Sequence, residues 1–416
     1  MDKNFINFHI LISHSPSCLN RDDMNMQKSA IFGGKRRVRI SSQSLKQTMR
    51  TSSYYKLNLG EASIRTHHLD LLKDEFLRDE KIKSEFSDDI VQEALERFVK
   101  TQVTMEESDD QSDEENENKP DKKLAVAPWI KEEFKVLCRI VKEVQNAGLT
   151  SEEEEKAKKG YEKQKPKGEK KPIEHFRGQI MAKKMEAKMK ENKAALVAAI
   201  GSAKDVALSG RMATSGLMTT IDGALSVAHV ITTHTVDADI DWFTAVDDLQ
   251  ELGSGHLDTQ EFSSGVFYRY ASLNLKQLQV NLGLIPDIKT AETDGSRKEA
   301  LEVATHLLHM LTTEVPSAKQ QSFAAHNLAD LAMVSFSDIP VSLANAFEEP
   351  VKTSSGGGFL KPSVNALHEY WQKIHTGYGL DERTAEFSIG YEPPNNMKAK
   401  KTLEELKTWV QTNGKE

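Results

Sequence analysis

The sequence predicts an α+β fold carrying a helical insertion. Three observations lead there. Strand-type apolar alternation and helical periodicity are interleaved over residues 1–60 and again over 207–416. Between them, 61–206 reads as helical, broken by an acidic tract at 104–123 and a lysine-rich tract at 156–193. Finally, two strand patterns enclose a polar, Gly-containing excursion at 236–264, which suggests a hairpin with an elaborated tip.

In Phe5–Ser13 the even positions Ile6, Phe8, Ile10 and Ile12 are all apolar, the period of a strand. This strand feeds Asn20–Arg50, where Arg21, Lys28, Lys35, Arg36, Arg37, Arg39, Lys46 and Arg50 crowd together and only Asp22 and Asp23 oppose them. Gly33-Gly34 marks a turn, since glycine takes positive φ without a Cβ clash. Beyond it Arg37 and Arg39 alternate with Val38 and Ile40, as on a strand with one wet and one buried face. Ser41 and Ser42 are good N-cap types, and Leu45 and Met49 lie on one helical face, so a helix is expected to run to Arg50. A basic strand entering a hydroxyl-capped helix N-terminus can hold a phosphate chain through arginine charge and free helix N–H groups. The same pattern also suits a solvated, charged edge strand that blocks aggregation.

Leu69, Leu72 and Phe76 fall at helical spacing, and Asp89–Val99 continues in the same way. Thr104–Lys123 is almost free of apolar residues and cannot offset its ordering entropy by burial, so a disordered loop is expected. Trp129–Val144 is amphipathic again. From Lys156 to Lys193 fourteen Lys and Arg face five Glu, which fits either a solvated helix face or a cationic arm for nucleic acid. Leu208–Met218 is rich in small residues around Arg211 and Met212. Val227–Val236 and Val266–Leu273 have the composition of strands. Trp242 and Phe243 are expected at the tip of the excursion between them. There they either meet bases, or Phe243, Val246, Leu249 and Leu252 form a small amphipathic helix. The C-terminal third should hold helices at Lys298–Thr313, Val341–Glu348 and Ser363–Ile374, a strand near Leu331–Phe336 and a flexible loop at Ser354–Phe359. A last helix opens on a Thr402/Glu405 capping box and closes at Gly414.

The 416 residues suffice for two or three structural units with a large core. Net charge is −8, yet the acidic residues between Glu106 and Glu117 carry −8 by themselves. The remainder is near neutral with strongly basic segments, so local charge decides which surface meets a polyanion. Cys18 and Cys138 are far apart, which argues against a disulfide framework or zinc cluster and fits a reducing compartment. The N-terminal apolar run is short and broken by Asn7 and His9, so neither a signal peptide nor a membrane span is expected, and the expected location is cytoplasmic.

No catalytic, cofactor or metal constellation stands out. G-x-x-x-x-G-K-[ST], H-E-x-x-H and G-x-S-x-G are all missing, and Gly356–Gly358 runs into Phe359. His306 and His309 share a helix face, a spacing more often packed or solvent-facing than metal-bound. Asp22 and Asp23 beside the arginines are the one catalytic lead, as general acid/base groups on an RNA backbone. The plainer reading is charge balance or a turn cap.

FINFHILISHSPSCLNRDDMNMQKSAIFGGKRRVRISSQSLKQTMR, SGRMATSG and DIDWFTAVDDLQELGSGHLDTQEFSSGVFYRYA closely resemble the repeated backbone subunit of Cascade, the type I-E CRISPR effector complex. TEVPSAKQ, FSDIPVSLANAFE and TLEELKTWVQTNG continue the resemblance, which covers most of Phe5–Arg65 and Ala207–Gly414 but not Leu77–Val206. It implies a modified RRM, ferredoxin-like palm (1–60 and 207–416), an inserted helical fingers domain (61–206) and a protruding thumb hairpin (236–264). It further implies a non-catalytic subunit, without cofactor, that stacks head to tail with its own copies along guide (CRISPR) RNA. Bases are presented to target DNA, in company with large, small and guide-end-capping subunits. Carried onto this chain, Arg21, Lys28, Lys35, Arg37, Ser41, Gln43, Lys46 and His68 would hold the RNA backbone. Met212, Trp242, Phe243 and Thr244 would meet bases or a displaced nucleotide, and lysines of 156–193 would steer duplex DNA. Related backbone subunits of type III complexes cut RNA with an aspartate in an equivalent loop, which keeps Asp22 and Asp23 open as an alternative. A general single-strand binder is a further alternative, although the interleaved aromatics expected of one are lacking.

Overall fold

The computed structural model describes residues 2–96, 127–163, 171–212, 220–246 and 254–415. The acidic tract 104–123, residues 164–170 of the lysine-rich tract, 213–219 and 247–253 lie outside the described residues. The chain divides into two compact units. The first comprises Met1–Glu61, Ala224–Val280 and Leu284–Glu416, and the second Ala62–Gly223 with Asn281–Gly283.

The first unit opens with β1 (Phe5–Ser17), in which Ile6, Phe8, Ile10 and Ile12 are buried and so is Leu11 on the other face. β2 (Ser29–Phe32) and β3 (Lys35–Ile40) form a hairpin turning at Gly33-Gly34, with φ of +58° and +70°. α1 (Ser42–Thr51) starts where Ser41 Oγ accepts the Ser44 N–H at 3.1 Å, and it buries Leu45 and Met49. α2 (Ser53–Leu59) follows.

The second unit holds β4 (Ile64–Thr66), α3 (Leu69–Arg78), α4 (Glu80–Glu85), α5 (88–96), β5 (Ala127–Trp129) and α6 (Lys131–Ala147). It continues through α7 (Ser151–Glu162), α8 (Ile173–Glu191), α9 (Lys193–Gly201) and α10 (Lys204–Ser209). Its core gathers Leu72, Phe76, Phe86, Phe134, Leu137 and Val141, with the Phe76 and Phe134 rings stacked at 4.4 Å. α7 begins on a reciprocal capping box between Thr150 and Glu153. Phe176 of α8 lies against Gly160 of α7, where a Cβ would come within 2.8 Å of the ring.

The first unit resumes with β6 (Leu225–Val227), β7 (Val230–Thr232), β8 (Asp239–Val246), β9 (Ser254–Asn274) and α11 (Leu275–Asn281). α12 (Asp294–Thr313), α13 (Gln320–Phe323), β10 (Leu331–Ser337), α14 (Leu360–Tyr378), β11 (Arg383–Ser388), β12 (Lys398–Lys400) and α15 (Leu403–Gln411) complete it. The sheet runs β12-β11-β10-β1-β9-β7-β3-β2, with β6 and β8 also paired to β9. β1 is therefore central, antiparallel to both β9 and β10. On one face, Leu11, Tyr268, Met333, Phe347, Leu367 and Trp371 form a core with α14. On the other, fully buried Arg269 donates to Leu311 O (2.9 Å) and Glu314 O (2.8 Å), capping the last carbonyls of α12 with a cation. The chain is thus a mixed α+β protein built on one large sheet.

Several local expectations change. Val341–Glu348 is not an α-helix but an irregular segment with one 3-10 turn at Ala344–Phe347. The segment is tied to the sheet, where Val341 N–H donates to Asn7 Oδ1 (3.2 Å) and Leu343 N–H to the Tyr268 hydroxyl (3.1 Å). The strand expected over Val227–Val236 is split into β6 and β7. Val227 faces Ala271 and Ile231 faces Tyr268, so an extra residue is bulged out near Ala228-His229. In place of a helix beginning at Phe243, residues 239–246 are strand. The final capping box is half formed: Thr402 Oγ1 accepts the Glu405 N–H (3.1 Å), but Glu405 Oε2 takes the Lys401 amide (2.8 Å).

Candidate nucleic-acid interface

After β1 the chain closes a tight loop. Lys28 N–H donates to Asn20 O at 2.9 Å, and Arg21 forms a backbone bridge with Gln27. Within the loop Asp22 Oδ1 accepts the N–H groups of Met24 and Met26, each at 2.9 Å, and the Arg21 guanidinium donates to Asn25 Oδ1. Asp22 is thus the loop's internal cap, while Arg21, Asp22 and Asp23 lie at its exposed surface. Asn20 Oδ1 also accepts the Ser41 N–H (2.9 Å), and Arg39 N–H donates to Lys28 O (2.8 Å), so loop, strand and helix start are tied together. On this frame Lys35 and Gln43 are exposed, and Lys28, Ser41 and Lys46 are half-buried.

Arg37 departs from the expected alternation. Its side chain is wholly buried and donates to Thr232 O (3.0 Å), Phe347 O (2.9 Å) and Glu348 O (3.2 Å). β3 is covered on both faces here, because the 3-10 turn packs over it; a Cβ on Gly33 would stand 1.8 Å from Glu348 O. Arg37 therefore clamps the scaffold and does not face solvent.

In the β8/β9 ladder Ile240 lies opposite Glu261, Trp242 opposite Thr259, Phe243 opposite Asp258 and Thr244 opposite Leu257. Trp242 is accordingly mid-strand, not at a tip. Cross-strand partners share a face, and on this one Ile240 and Trp242 are exposed by 56% and 66%. Glu261 and Ser263, on the same face nearer the sheet, are buried beneath the basic loop. Gln27 N–H donates to Glu261 Oε2 (3.1 Å), Arg36 pairs with the same oxygen at 3.3 Å, and Ser263 Oγ donates to Gln27 Oε1 (2.7 Å). The basic loop and Trp242 thus stand on one surface of the first unit.

Met212 and His68 belong to the second unit. Met212 is 90% exposed and follows Arg211, whose guanidinium makes a buried two-pronged pair with Glu133 at 2.6 and 2.9 Å. Arg211 and Ile221 exchange both backbone hydrogen bonds at 2.9 Å, which fixes the chain on either side of 213–219. His68 is exposed at the start of α3, its N–H on Thr66 Oγ1 at 2.9 Å. In the lysine-rich tract, Lys184 pairs with Glu153 (2.9 Å), Arg177 with Glu154 (3.0 Å) and Lys188 with Glu191 (2.8 Å). Lys156, Lys158, Lys183 and Lys190 are exposed. Among the described residues no group of three or more His, Cys, Asp or Glu is placed to hold a metal ion, and no helix is long and apolar enough to cross a membrane.

Residues 6–412 match the family model described as CT1975-like protein. The chain belongs to the CT1975-like protein family. No curated protein sequence matches it. Among solved structures, a chain of a "CRISPR RNA-guided surveillance complex, pre-nicking" matches with a TM-score of 0.70 at 25% identity, over 98% of this chain and 99% of that one. A chain of a "CRISPR RNA-guided surveillance complex" shares the fold at a TM-score of 0.54 and 20% identity, again over 98% and 99%. Family and fold together support a Cascade-type CRISPR protein. The family match of this CT1975-like chain spans the region between Leu77 and Val206, which the motif resemblance left uncovered.

Two residues of this candidate surface in the CT1975-like chain escape a reading of the sequence. His229, exposed at the bulge between β6 and β7, accepts the Ser42 N–H on Nδ1 at 3.0 Å, with Arg39 Nη1 at 3.5 Å. Its only signal was an imidazole interrupting a β-branched run. Glu261 was hidden in an acidic excursion, and only the ladder register shows which of those acids lies under the basic loop.

Proposed function

We propose that this chain is the repeated backbone subunit of a type I-E Cascade-like complex and holds guide RNA by its sugar–phosphate backbone without cutting it. One observation carries the reading: the basic loop and an exposed tryptophan share one surface, joined through Glu261. Arg21, Lys28, Lys35 and Lys46 supply charge for phosphates, and Ser41 and Gln43 supply polar groups at the start of α1. Trp242 offers a stacking platform, with Phe243 and Thr244 next along the strand, and the second unit contributes RNA contacts of its own through Met212 and His68. Arg37 drops out of the contact set as a scaffold residue. Phosphate and 2′-hydroxyl contacts carry no sequence information, so one subunit serves any guide, and base pairing reads the target DNA.

The strand order β10-β1-β9-β7, with α1 after β1 and α12 between β9 and β10, supports an RRM-like palm of β-α-β-β-α-β type. The second unit is then the fingers and the β8/β9 extension the thumb. Copies stack head to tail on cytoplasmic guide RNA beside large, small and end-capping subunits. Asp22 engages one carboxylate oxygen with loop amides, which favours a structural role over a catalytic one.

The test mixes the protein, alone and co-expressed with its complex, with end-labelled guide RNA and a separately labelled complementary RNA, with and without Mg²⁺. A ladder of discrete complexes on native gels, with both strands intact on denaturing gels, is the expected result. Regularly spaced cuts lost on Asp22→Ala or Asp23→Ala would make the chain a nuclease. No RNA binding even in the co-expressed complex would overturn the proposal.

A further inference from the structure

We infer that Glu261 is a positioning residue of this surface: it withholds Arg36 from RNA and anchors the basic loop to the hairpin that carries Trp242. This rests on the RNA-backbone reading above. A carboxylate at the foot of a surface built for a polyanion opposes the ligand, so its place there needs another cause. Glu261 is only 7% exposed, on β9 opposite Ile240. Its Oε2 takes the Gln27 N–H at 3.1 Å, and Arg36 Nη2 lies 3.3 Å from Oε2 and 3.5 Å from Oε1. Gln27 is 5% exposed and has no freedom left: its Oε1 accepts from Ser263 Oγ at 2.7 Å and its Nε2 donates to Ser17 O at 3.1 Å. Thus the carboxylate ties β9 to the loop and to β3, two residues along the face from Trp242, and the Gln27 side chain carries the tie on to β1 at Ser17. The Arg36 side chain, 45% exposed, pairs downward with that carboxylate and is not counted among the phosphate contacts.

The distinction is electrostatic and measurable. Each phosphate neutralised by a protein cation contributes about 0.7 to the slope of log K against log salt for a single strand. Glu261→Gln keeps an acceptor for the Gln27 N–H but releases Arg36, and its slope on a labelled single-stranded guide RNA should steepen by about 0.7. Arg36→Gln alone should leave the wild-type slope unchanged, whereas Lys35→Gln should reduce it. The double variant Glu261→Gln/Arg36→Gln should return to the wild-type slope. A purely structural Glu261 would lower the melting temperature of the glutamine variant and leave its slope alone. That result, or a reduced slope for Arg36→Gln, overturns the inference. A wild type that binds no RNA overturns the RNA reading and this inference with it, an outcome distinct from binding with an unchanged slope.

Discussion

At His9 the imidazole Nδ1 accepts the Tyr268 hydroxyl at 2.8 Å, and that hydroxyl oxygen accepts the Leu343 N–H at 3.1 Å. Burial pushes the His9 pKa from 6.5 down to about 3, and His14, beside buried Arg269, is also held near 3. The unfolded chain takes up these protons where the folded chain refuses them. Stability is therefore lost as pH falls from 6.5 toward 3, by up to roughly 1.4 kcal/mol per pH unit for each histidine. His9→Asn should flatten the dependence of the urea midpoint between pH 7 and pH 5; an undiminished slope would clear His9 of the effect. Arg37 gives the second prediction at this scale. Removing a buried cation that satisfies several carbonyls leaves them without a donor, so Arg37→Ala should cost about 3 kcal/mol in denaturant melts. If Arg37→Ala instead melts like the wild type and loses RNA affinity, the scaffold role is wrong. The alternation around Val38 and Ile40 correctly marked their burial, but it could not disclose what covers the other face. That cover comes from Phe347 and Glu348, about 310 residues away in sequence.

Elements whose signals are local were legible. β1 shows in its even-numbered apolar residues, α1 in Ser41 with Leu45 and Met49, and β10 in an apolar run that is buried throughout. Elements set by distant partners were not. The segment around the 3-10 turn at Ala344–Phe347 is held by distant partners: Asn7 and Tyr268 take the amides of Val341 and Leu343, Arg37 takes the carbonyls of Phe347 and Glu348, and no window of sequence contains both sides of those contacts. The hairpin is the same case at the site itself. Aromatic neighbours flanked by aspartates suited either a helix or a tip, and pairing with β9 puts Trp242 on a strand. Because Trp242 is 66% exposed, Trp242→Ala should leave the melting temperature within error. Loss of a base–aromatic stack should weaken guide RNA binding by about 1–3 kcal/mol, read by titration at fixed salt. Unchanged affinity would remove Trp242 from the interface.

Across the whole molecule, charge is sorted by what holds it. In the second unit the acids at the start of α7 capture cations of α8: Glu153 takes Lys184 and Glu154 takes Arg177. These pairs bind helix to helix, so a count of lysines overstates the charge offered to a ligand. Lys156, Lys158, Lys183 and Lys190 stand at the surface, where a solvated ammonium can neutralise phosphate without surrendering an internal contact. The two groups should separate experimentally in the assembled complex. Replacing Lys158, Lys183 and Lys190 by glutamine should weaken duplex DNA capture and reduce the log–log salt slope by about 0.9 for each lysine that meets a phosphate, with melting unchanged. Replacing Arg177 and Lys184 should do the reverse, lowering the melting temperature with little change in slope. If the surface triple variant captures duplex with wild-type affinity and slope, the tract is a solvated helix face and duplex DNA is gathered elsewhere.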